Sequence, residues 1–199
     1  MATASPPNAD DARAPLAGRC VLVGVTGGIA AYKTAPLVSR LVQSGADVRV
    51  VMTQAATRFV GPVTFQSLSG HAVQTSIWDH DDRPDSQHVG LARWAHAYVI
   101  APATAGCIAK LAAGFTPDPV TLAACALPAD TPLLLAPAMN ADMWANPIVQ
   151  RNLDTLRQLL PNLTVVGPDD GWQACRTSGS GRMAEPDTLY ANLNDVLNA

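Results

Sequence analysis

The stretch Cys20-Val21-Leu22-Val23-Gly24-Val25-Thr26-Gly27-Gly28 decides the fold of this chain. Its first six residues form a continuous apolar run, which is typical of a strand buried on both faces of a parallel sheet. The two glycines that follow predict a tight turn from the strand into a helix. We therefore predict an α/β fold that begins with this strand.

Four further apolar runs predict strands over residues 48–52, 98–101, 133–136 and 163–166. The first helix is predicted over residues 28–44, with Gly45 beyond its end and a kink or break at Pro36. A later helix is predicted to follow Asn146 as N-cap, with Pro147 in its first position. The alternation predicts a single doubly wound, flavodoxin-like or Rossmann-like parallel sheet with helices on both faces. Ligands of such sheets bind beyond the carboxyl ends of the strands.

Composition narrows the class of protein. The chain has 199 residues, of which 48% are hydrophobic and 15% charged, and its net charge is −3. It has no cluster of Lys or Arg, which argues against nucleic acid and anionic membranes as partners. Residues 1–17 are rich in Ala, Pro, Asn and Asp and lack the apolar core of a signal peptide, so we predict a disordered tail there. Residues 18–199 are then one domain.

The cysteines indicate the cellular compartment. Cys20, Cys107, Cys125 and Cys175 lie far apart and form no CxxC pair. This spacing favours free thiols in a cytoplasmic protein over disulfides or a zinc site. The acidic run at residues 79–82 is interpreted as a solvated loop, because adjacent residues converge poorly on one ion. We expect no bound metal.

The loop at residues 26–33 is a candidate anion site, since glycines at the start of a helix let backbone amides approach a phosphate. Its spacing matches neither the dinucleotide motif nor the P-loop. The second strand ends at Thr53, where an NAD site usually has an acidic residue, so the pattern favours a mononucleotide. A tight turn without a ligand explains the loop equally well. Small residues at 101–107 leave room for a planar ring, or serve close packing of helix on strand.

Three side chains are candidates for chemistry. His88 precedes the third strand and could shuttle a proton, although a histidine there is also typical of a cap or surface position. Asn140 follows the fourth strand, where its amide could hold a carboxylate or cap a helix. Cys175 lies in a glycine-rich segment typical of a mobile lid, and its thiol could donate a proton or act as a nucleophile. Arg182 could screen an anionic substrate or pair on the surface.

Four ordered motifs resemble the flavin-dependent cysteine decarboxylases, most closely those that act on phosphopantothenoylcysteine in coenzyme A synthesis. The motifs are residues 26–33, the segment around His88, residues 137–144, and residues 174–175 with 179–183. The resemblance implies FMN as the cofactor. It implies that the phosphate and ribityl chain of FMN contact Gly27, Gly28, Ile29 and Thr53. It also implies that Thr104 and Ala105 contact FMN further along the cofactor, and that Ala138 lies near the ring.

The resemblance also implies an activity, that of a carboxy-lyase. The cysteine thiol of the substrate would be oxidised to a thioaldehyde, CO₂ would leave, and the ene-thiolate would be reduced to 4′-phosphopantetheine. In this family pattern His88 is the base or proton shuttle. Asn140, Met143 and Ala174 bind the cysteine end of the substrate. Cys175 is the proton donor, on a flap that closes over the substrate.

The resemblance further implies an assembly, a homotrimer or a dodecamer with FMN at the subunit interface. Arg93 and Phe59 are candidates for contacts with a neighbour. Many bacterial relatives carry a fused phosphopantothenate-cysteine ligase that makes the substrate, and here we expect that activity on a separate protein. The sequence departs from the family pattern at Gly106, where an asparagine is usual, and at the prolines of residues 117–119. These departures bear on FMN binding and on a subunit contact.

Three alternatives remain at this point. The first is an oxidative decarboxylase that acts on the C-terminal cysteine of a peptide and stops at the ene-thiol, which the Cys175 segment disfavours. The second is a non-enzymatic regulatory flavoprotein of the same fold, which is disfavoured because His88, Asn140 and Cys175 are all present. The third is an NAD oxidoreductase, which is disfavoured by the glycine spacing and by Thr53.

Overall fold

A five-stranded parallel sheet forms the centre of the molecule, for which a computed structural model describes residues 14–78 and 87–199. The strand order is β2-β1-β3-β4-β5, the flavodoxin-like order of a doubly wound sheet. The strands are β1 (Cys20–Val25), β2 (Asp47–Met52), β3 (Ala97–Ala103), β4 (Leu133–Pro137) and β5 (Leu163–Val165). Val21 pairs with Val48 on one side and Ala97 on the other. The predicted fold class and all five predicted strands are confirmed.

Helices cover both faces of the sheet. One face packs against α1 (Thr34–Gln43), α2 (Pro62–Ser69) and α8 (Pro186–Asn198). The other packs against α3 (Gln87–Trp94), α4 (Ala105–Ala112), α5 (Pro119–Cys125) and α7 (Pro147–Leu159), while the short α6 (Ala141–Ala145) follows β4. Successive residues of β1 alternate between the two cores, with Val21 and Val23 in the first and Leu22 in the second. This alternation is the period-two geometry of a strand, and it explains the continuous apolar run.

A hairpin of two antiparallel strands, β6 (Asp169–Trp172) and β7 (Ser178–Arg182), lies apart from the main sheet. The sequence predicts only a glycine-rich lid here, because the segment lacks an alternating apolar pattern. The hairpin is seated against the end of β4, where Met139 N donates to Gly181 O at 2.9 Å. A Cβ at Gly181 would lie 2.2 Å from Met139 O, and the φ of Gly181 is +155°. Only glycine allows this approach.

The helix predictions are confirmed in part. Asn146 caps α7 through its Oδ1, which accepts from Ile148 N at 2.9 Å, and Pro147 is the first helical residue. The predicted break at Pro36 is wrong. The chain changes from a 3-10 turn to α1 at Lys33–Thr34, so Pro36 falls in the first turn of α1, where N–H groups have no intrahelical partner.

The folded part begins before residue 18. Leu16 is fully buried in the core, and its N–H donates to Ser44 O at 2.9 Å, so residues 14–17 correct the predicted boundary of the tail. The apolar side chain of Leu16, four residues before β1, packs in the core with Leu41 of α1, which explains the extension. Residues 1–13 lie outside the described residues. Across the ranges that are described, no helix is long and apolar enough to cross a membrane.

Candidate active site

Two adjoining cavities open at the carboxyl ends of the parallel strands, where the fold class predicts a ligand. The larger has a volume of about 600 Å³ and lies between the loop after β1, the start of α4, the segment after β4 and the hairpin. The smaller has a volume of about 380 Å³ and faces the loop after β2 and α5. Gly27, Thr104 and Gly106 line both, so the two cavities meet along these residues.

The glycine loop after β1 is held in place by hydroxyl groups. Thr26 Oγ1 donates to Pro102 O at 2.6 Å, and Thr34 Oγ1 donates to Ala101 O at 2.6 Å. A Cβ at Gly27 would lie 2.4 Å from Ala55 Cβ, so a side chain there would push the loop away from the turn after β2. Because the loop is tied to β3 and packed on that turn, it is a preorganised wall for both cavities.

The smaller cavity is rich in hydroxyl groups. Thr26, Thr53 and Thr104 line it, and Lys110 and Asp118 form an ion pair of 2.8 Å at its edge. Thr53 Oγ1 accepts from Ala56 N at 3.2 Å, and this bond fixes the side chain. Hydroxyl groups such as these suit a phosphate or a polyol chain.

Asn140 joins the segment after β4 to the hairpin. Its Oδ1 accepts from Asp142 N at 2.9 Å and from Met143 N at 3.3 Å, so Asn140 is the N-cap of α6. Its Nδ2 donates to Cys175 Sγ at 3.4 Å. The interpretation of Asn140 as a helix cap is confirmed, and the cap fixes the oxygen and leaves the NH₂ group directed toward the thiol.

Gln173 is a residue of the site that the sequence analysis missed. It is buried, its Oε1 accepts from Ala141 N at 3.1 Å, and its Nε2 donates to Gly179 O at 3.3 Å. Its backbone closes the turn that carries Cys175, since Gln173 N donates to Thr177 O at 2.8 Å. No local sequence signal identifies it, because its partner Ala141 lies 32 residues away along the chain.

The environment of Cys175 differs from that of the buried cysteines. A hydrogen bond with the Thr177 hydroxyl, at 3.0 Å, lowers the pKa of the Cys175 thiol, and the Asn140 amide lowers it further. Burial instead raises the pKa of Cys107 to about 12. Cys175 is exposed, so it combines access with an acidic thiol, as a proton donor or nucleophile requires.

Replacing Thr177 with valine is expected to raise the pKa of Cys175. The Thr177 hydroxyl donates to the thiolate and favours the charged form, so its loss favours the thiol. The rate of Cys175 alkylation by iodoacetamide, measured by peptide mass spectrometry across pH, should then rise at higher pH than in wild type. Thr155→Val is the control, because the Thr155 hydroxyl donates to Arg151 O within α7, away from Cys175. An unchanged profile for Thr177→Val would contradict this assignment.

The large cavity collects most of the predicted site residues. Those that line it are Gly27, Gly28, Ile29, Thr104, Ala105, Ala138, Asn140, Met143, Ala174 and Cys175. Thr53 lines the smaller cavity. His88 lies half-buried on α3 and lines neither cavity within the described part of one chain. Tyr32, Lys33 and Trp172 line the large cavity without having been predicted, although the first two lie in the quoted glycine motif.

A small ionic network borders the large cavity. Glu185 Oε1 lies 2.7 Å from Lys33 Nζ and 2.7 Å from Arg182 Nη2. The hydrogen bond from Lys33, together with the charges of both cations, lowers the pKa of the Glu185 carboxyl. Arg182 thus forms the predicted ion pair near the surface, and it also lines the cavity. Among residues 14–78 and 87–199, no group of three His, Cys, Asp or Glu side chains could hold a metal, and the acidic run at 79–82 lies outside these ranges.

Comparison with known proteins establishes the family. The sequence profile of the Flavoprotein family matches residues 11–198. The chain belongs to the flavoprotein family. This flavoprotein is 44% identical over 180 residues to the coenzyme A biosynthesis bifunctional protein CoaBC of Haemophilus influenzae, a match that covers 90% of this chain and 44% of that protein. CoaBC of Escherichia coli K12 is 45% identical over 188 residues, covering 91% and 45%. The chain thus spans less than half the length of these relatives.

Solved structures are also similar over nearly the whole of their chains. A cysteine-to-serine mutant of PPC decarboxylase complexed with pantothenoylaminoethenethiol superposes on this flavoprotein with a TM-score of 0.79 at 30% identity, and the match covers 91% of this chain and 99% of that one. The FMN-dependent cysteine decarboxylase SpaF gives a TM-score of 0.77 at 32% identity, covering 92% and 97%. The cavities described above therefore belong to a fold that such enzymes share.

Proposed function

We propose that this flavoprotein uses FMN to decarboxylate 4′-phosphopantothenoylcysteine to 4′-phosphopantetheine in coenzyme A biosynthesis. The observation that carries the proposal is the contact of 3.4 Å between Asn140 Nδ2 and Cys175 Sγ on the wall of the large cavity. It places a group that can hold a carboxylate or amide beside a thiol that can give up a proton. The similarity to CoaBC proteins and to a PPC decarboxylase supports the same substrate.

The two cavities fit FMN. The hydroxyl-lined smaller cavity suits its phosphate and ribityl chain through Thr53 and the glycine loop, and the larger one suits its ring near Ala138. Gly106, where the sequence departs from the family pattern, lies where the two cavities meet. A Cβ at this position would have no neighbour within 4 Å, so the backbone here leaves open space for FMN. When bound, FMN supplies a reversible acceptor for two electrons, which lets the α-carboxylate of the substrate leave.

The residues of the chain do the binding and the proton transfer. Asn140 orients the cysteine end of the substrate, because its side chain is already fixed as the cap of α6. Met143 and Ala174 line the same end of the cavity. Cys175 holds the proton that is delivered to carbon in the last step, and Gln173 keeps its turn against α6. The hairpin that carries Cys175 forms one wall of the cavity in which these groups meet.

An anaerobic assay tests the proposal. Purified protein is incubated with 4′-phosphopantothenoylcysteine, the products are identified by mass spectrometry, and the expected product is 4′-phosphopantetheine. A wild-type reaction that stops at the ene-thiol, two hydrogens poorer, would instead favour the oxidative decarboxylation of a peptide cysteine. A colourless and inert protein would favour the regulatory function.

We infer that the active protein is a homotrimer, or a dodecamer built from trimers, with FMN at the subunit interface. Support comes from the position of His88. Within the described part of one chain His88 lines neither cavity, so its proposed role as base or proton shuttle would be carried out at the cavity of a neighbouring subunit. Phe59 is half-exposed and Arg93 is exposed, as residues that meet a neighbour would be in an isolated chain. Light scattering that gives the mass of a monomer would contradict this inference.

The substrate must be supplied by a ligase activity, and we propose that such a ligase is a partner of this chain in the cytoplasm. The bifunctional nature of the CoaBC relatives supports a link between the formation of the substrate and its decarboxylation. The purified chain is then expected to require added 4′-phosphopantothenoylcysteine and to make none from 4′-phosphopantothenate and cysteine. Formation of the substrate by this chain alone would overturn the idea.

A further inference from the structure

The charges that face the large cavity have one sign. Among the described residues that line it, the charged side chains are Lys33 and Arg182, and both are cations. Their shared partner Glu185 does not line the cavity. A cavity bordered in this way favours an anionic ligand group at the end where the two cations lie.

The two cations are only partly neutralised by Glu185. A single oxygen of its carboxylate lies 2.7 Å from Lys33 Nζ and 2.7 Å from Arg182 Nη2, so the three side chains carry a net charge of about +1 at neutral pH. Lys33 Nζ also donates to Met183 O at 3.4 Å, and only 13% of its side chain is exposed. The guanidinium of Arg182 has five N–H donors, and Glu185 accepts from one nitrogen, so donors remain for a ligand.

The Arg182 side chain packs on the hairpin backbone at Gly171. A Cβ at Gly171 would lie 2.6 Å from Arg182 Nη1 and 2.9 Å from Arg182 Cδ, and the φ of Gly171 is +146°. The side chain of Arg182 therefore lies across the bare backbone of the neighbouring strand, in a space that any larger residue at position 171 would fill. The ion pair with Glu185 and the packing on Gly171 together fix Arg182 at the edge of the cavity.

Lys33 and Asn140 reach the cavity from different parts of the sheet. Lys33 lies in the segment after β1 and Asn140 follows β4, and β3 lies between these strands. Lys33, Arg182, Asn140 and Cys175 all line the same cavity, so one molecule could place an anionic group at the two cations while another part of it contacts Asn140 and Cys175.

We propose that Lys33 and Arg182 form the subsite for the terminal phosphomonoester of the substrate, and this rests on the proposed function. A phosphate at this end matches the charge of the site and the planar donor fork of Arg182, which binds phosphate oxygens in pairs. The hydroxyl-lined smaller cavity is left for the phosphate of FMN. Arg182 thus selects phosphorylated over unphosphorylated pantothenoyl compounds.

Binding of the product pair tests the subsite without turnover. 4′-Phosphopantetheine and pantetheine differ only in the phosphate and both lack the carboxylate, so their affinities, measured by calorimetry on the FMN-loaded protein, isolate the phosphate. Wild type should prefer the phosphorylated compound at least about tenfold, and Arg182→Gln should lose most of that preference. Arg157→Gln is the matched control, because Arg157 pairs with Asp154 on the solvent-facing side of α7. A wild type without preference overturns the proposal.

Glu185→Gln separates phosphate binding from a structural role of Arg182. Glutamine keeps the size of the side chain and an oxygen acceptor but removes the competing charge, so the phosphorylated compound should bind several-fold more tightly. If Arg182 only anchors the hairpin, both variants should weaken both compounds together, and that result overturns the proposal. Arg182→Lys should fall between wild type and Arg182→Gln, because it keeps the charge and loses the fork.

A comparison of FMN with riboflavin tests whether the two cations instead bind the phosphate of the cofactor. If Arg182→Gln reduces the preference of the apoprotein for FMN over riboflavin and leaves the product pair unaffected, the cations serve the cofactor and the substrate assignment is wrong. Failure of the proposed function has a different signature. In that case the wild type would retain the tenfold preference for the phosphorylated compound but would not decarboxylate 4′-phosphopantothenoylcysteine.

Discussion

Replacing Cys175 with serine is expected to lower the formation of 4′-phosphopantetheine by at least about hundredfold, the lower range for loss of a general acid. A serine hydroxyl is a far weaker acid than the Cys175 thiol, whose pKa is lowered by Thr177 and Asn140. Serine keeps the size of the side chain and its place in the hairpin turn. The substrate should therefore still bind and lose CO₂, and the ene-thiol, two hydrogens poorer than the normal product, should accumulate.

Mass spectrometry of anaerobic reactions measures both species, with Cys125→Ser as the matched control. Cys125 is also exposed and free, but it ends α5 and lines neither cavity, so its replacement should leave the product unchanged. A Cys175→Ser protein that makes 4′-phosphopantetheine at the wild-type rate would assign the last proton to another group. Loss of both products would indicate a binding or folding defect rather than loss of the acid.

The sheet could be predicted because its strands are buried on both faces. Each strand is then a continuous apolar run, and residues such as Tyr98 and Leu134 pack into one core or the other whichever way they point. The hairpin has no such pattern. The residues of β6 alternate between half-buried and exposed, and those of β7 follow no alternation. The position of the hairpin depends on the close approach of Gly181 to Met139 O, a contact that no local pattern predicts.

The site could be predicted to the extent that its residues lie within local motifs. Asn140 and Cys175 stand in short, unusual segments directly after the elements that carry them. Lys33 acquires its role through Glu185, which lies 152 residues away, and Gln173 acquires its role through the N-terminus of α6. Pairings over such distances are set by the fold, so propensity and spacing cannot identify them. The predicted role of His88 likewise depends on the proposed trimer.

Replacing Asn140 with alanine is expected to reduce kcat/KM for 4′-phosphopantothenoylcysteine by about hundredfold or more. The variant loses the amide that orients the cysteine end of the substrate, and a small misplacement of a reacting group costs about that factor. It also loses the contact with Cys175 Sγ, which should raise the pKa of that thiol. Loss of the cap on α6 adds a decrease of about 1 kcal/mol in the free energy of unfolding.

Asn146→Ala separates the chemical role of Asn140 from its role as a cap. Asn146 caps α7 in the same way, through an Oδ1 that accepts from Ile148 N at 2.9 Å, and it lines neither cavity. Its replacement should lower the free energy of unfolding, measured in urea, by a similar amount of about 1 kcal/mol and leave kcat/KM near the wild-type value. If the two alanine variants lost activity equally, Asn140 would act only by holding its helix. A loss confined to Asn140→Ala places the amide at the reacting end of the substrate, because both variants lose a cap and only that one loses a group in the cavity.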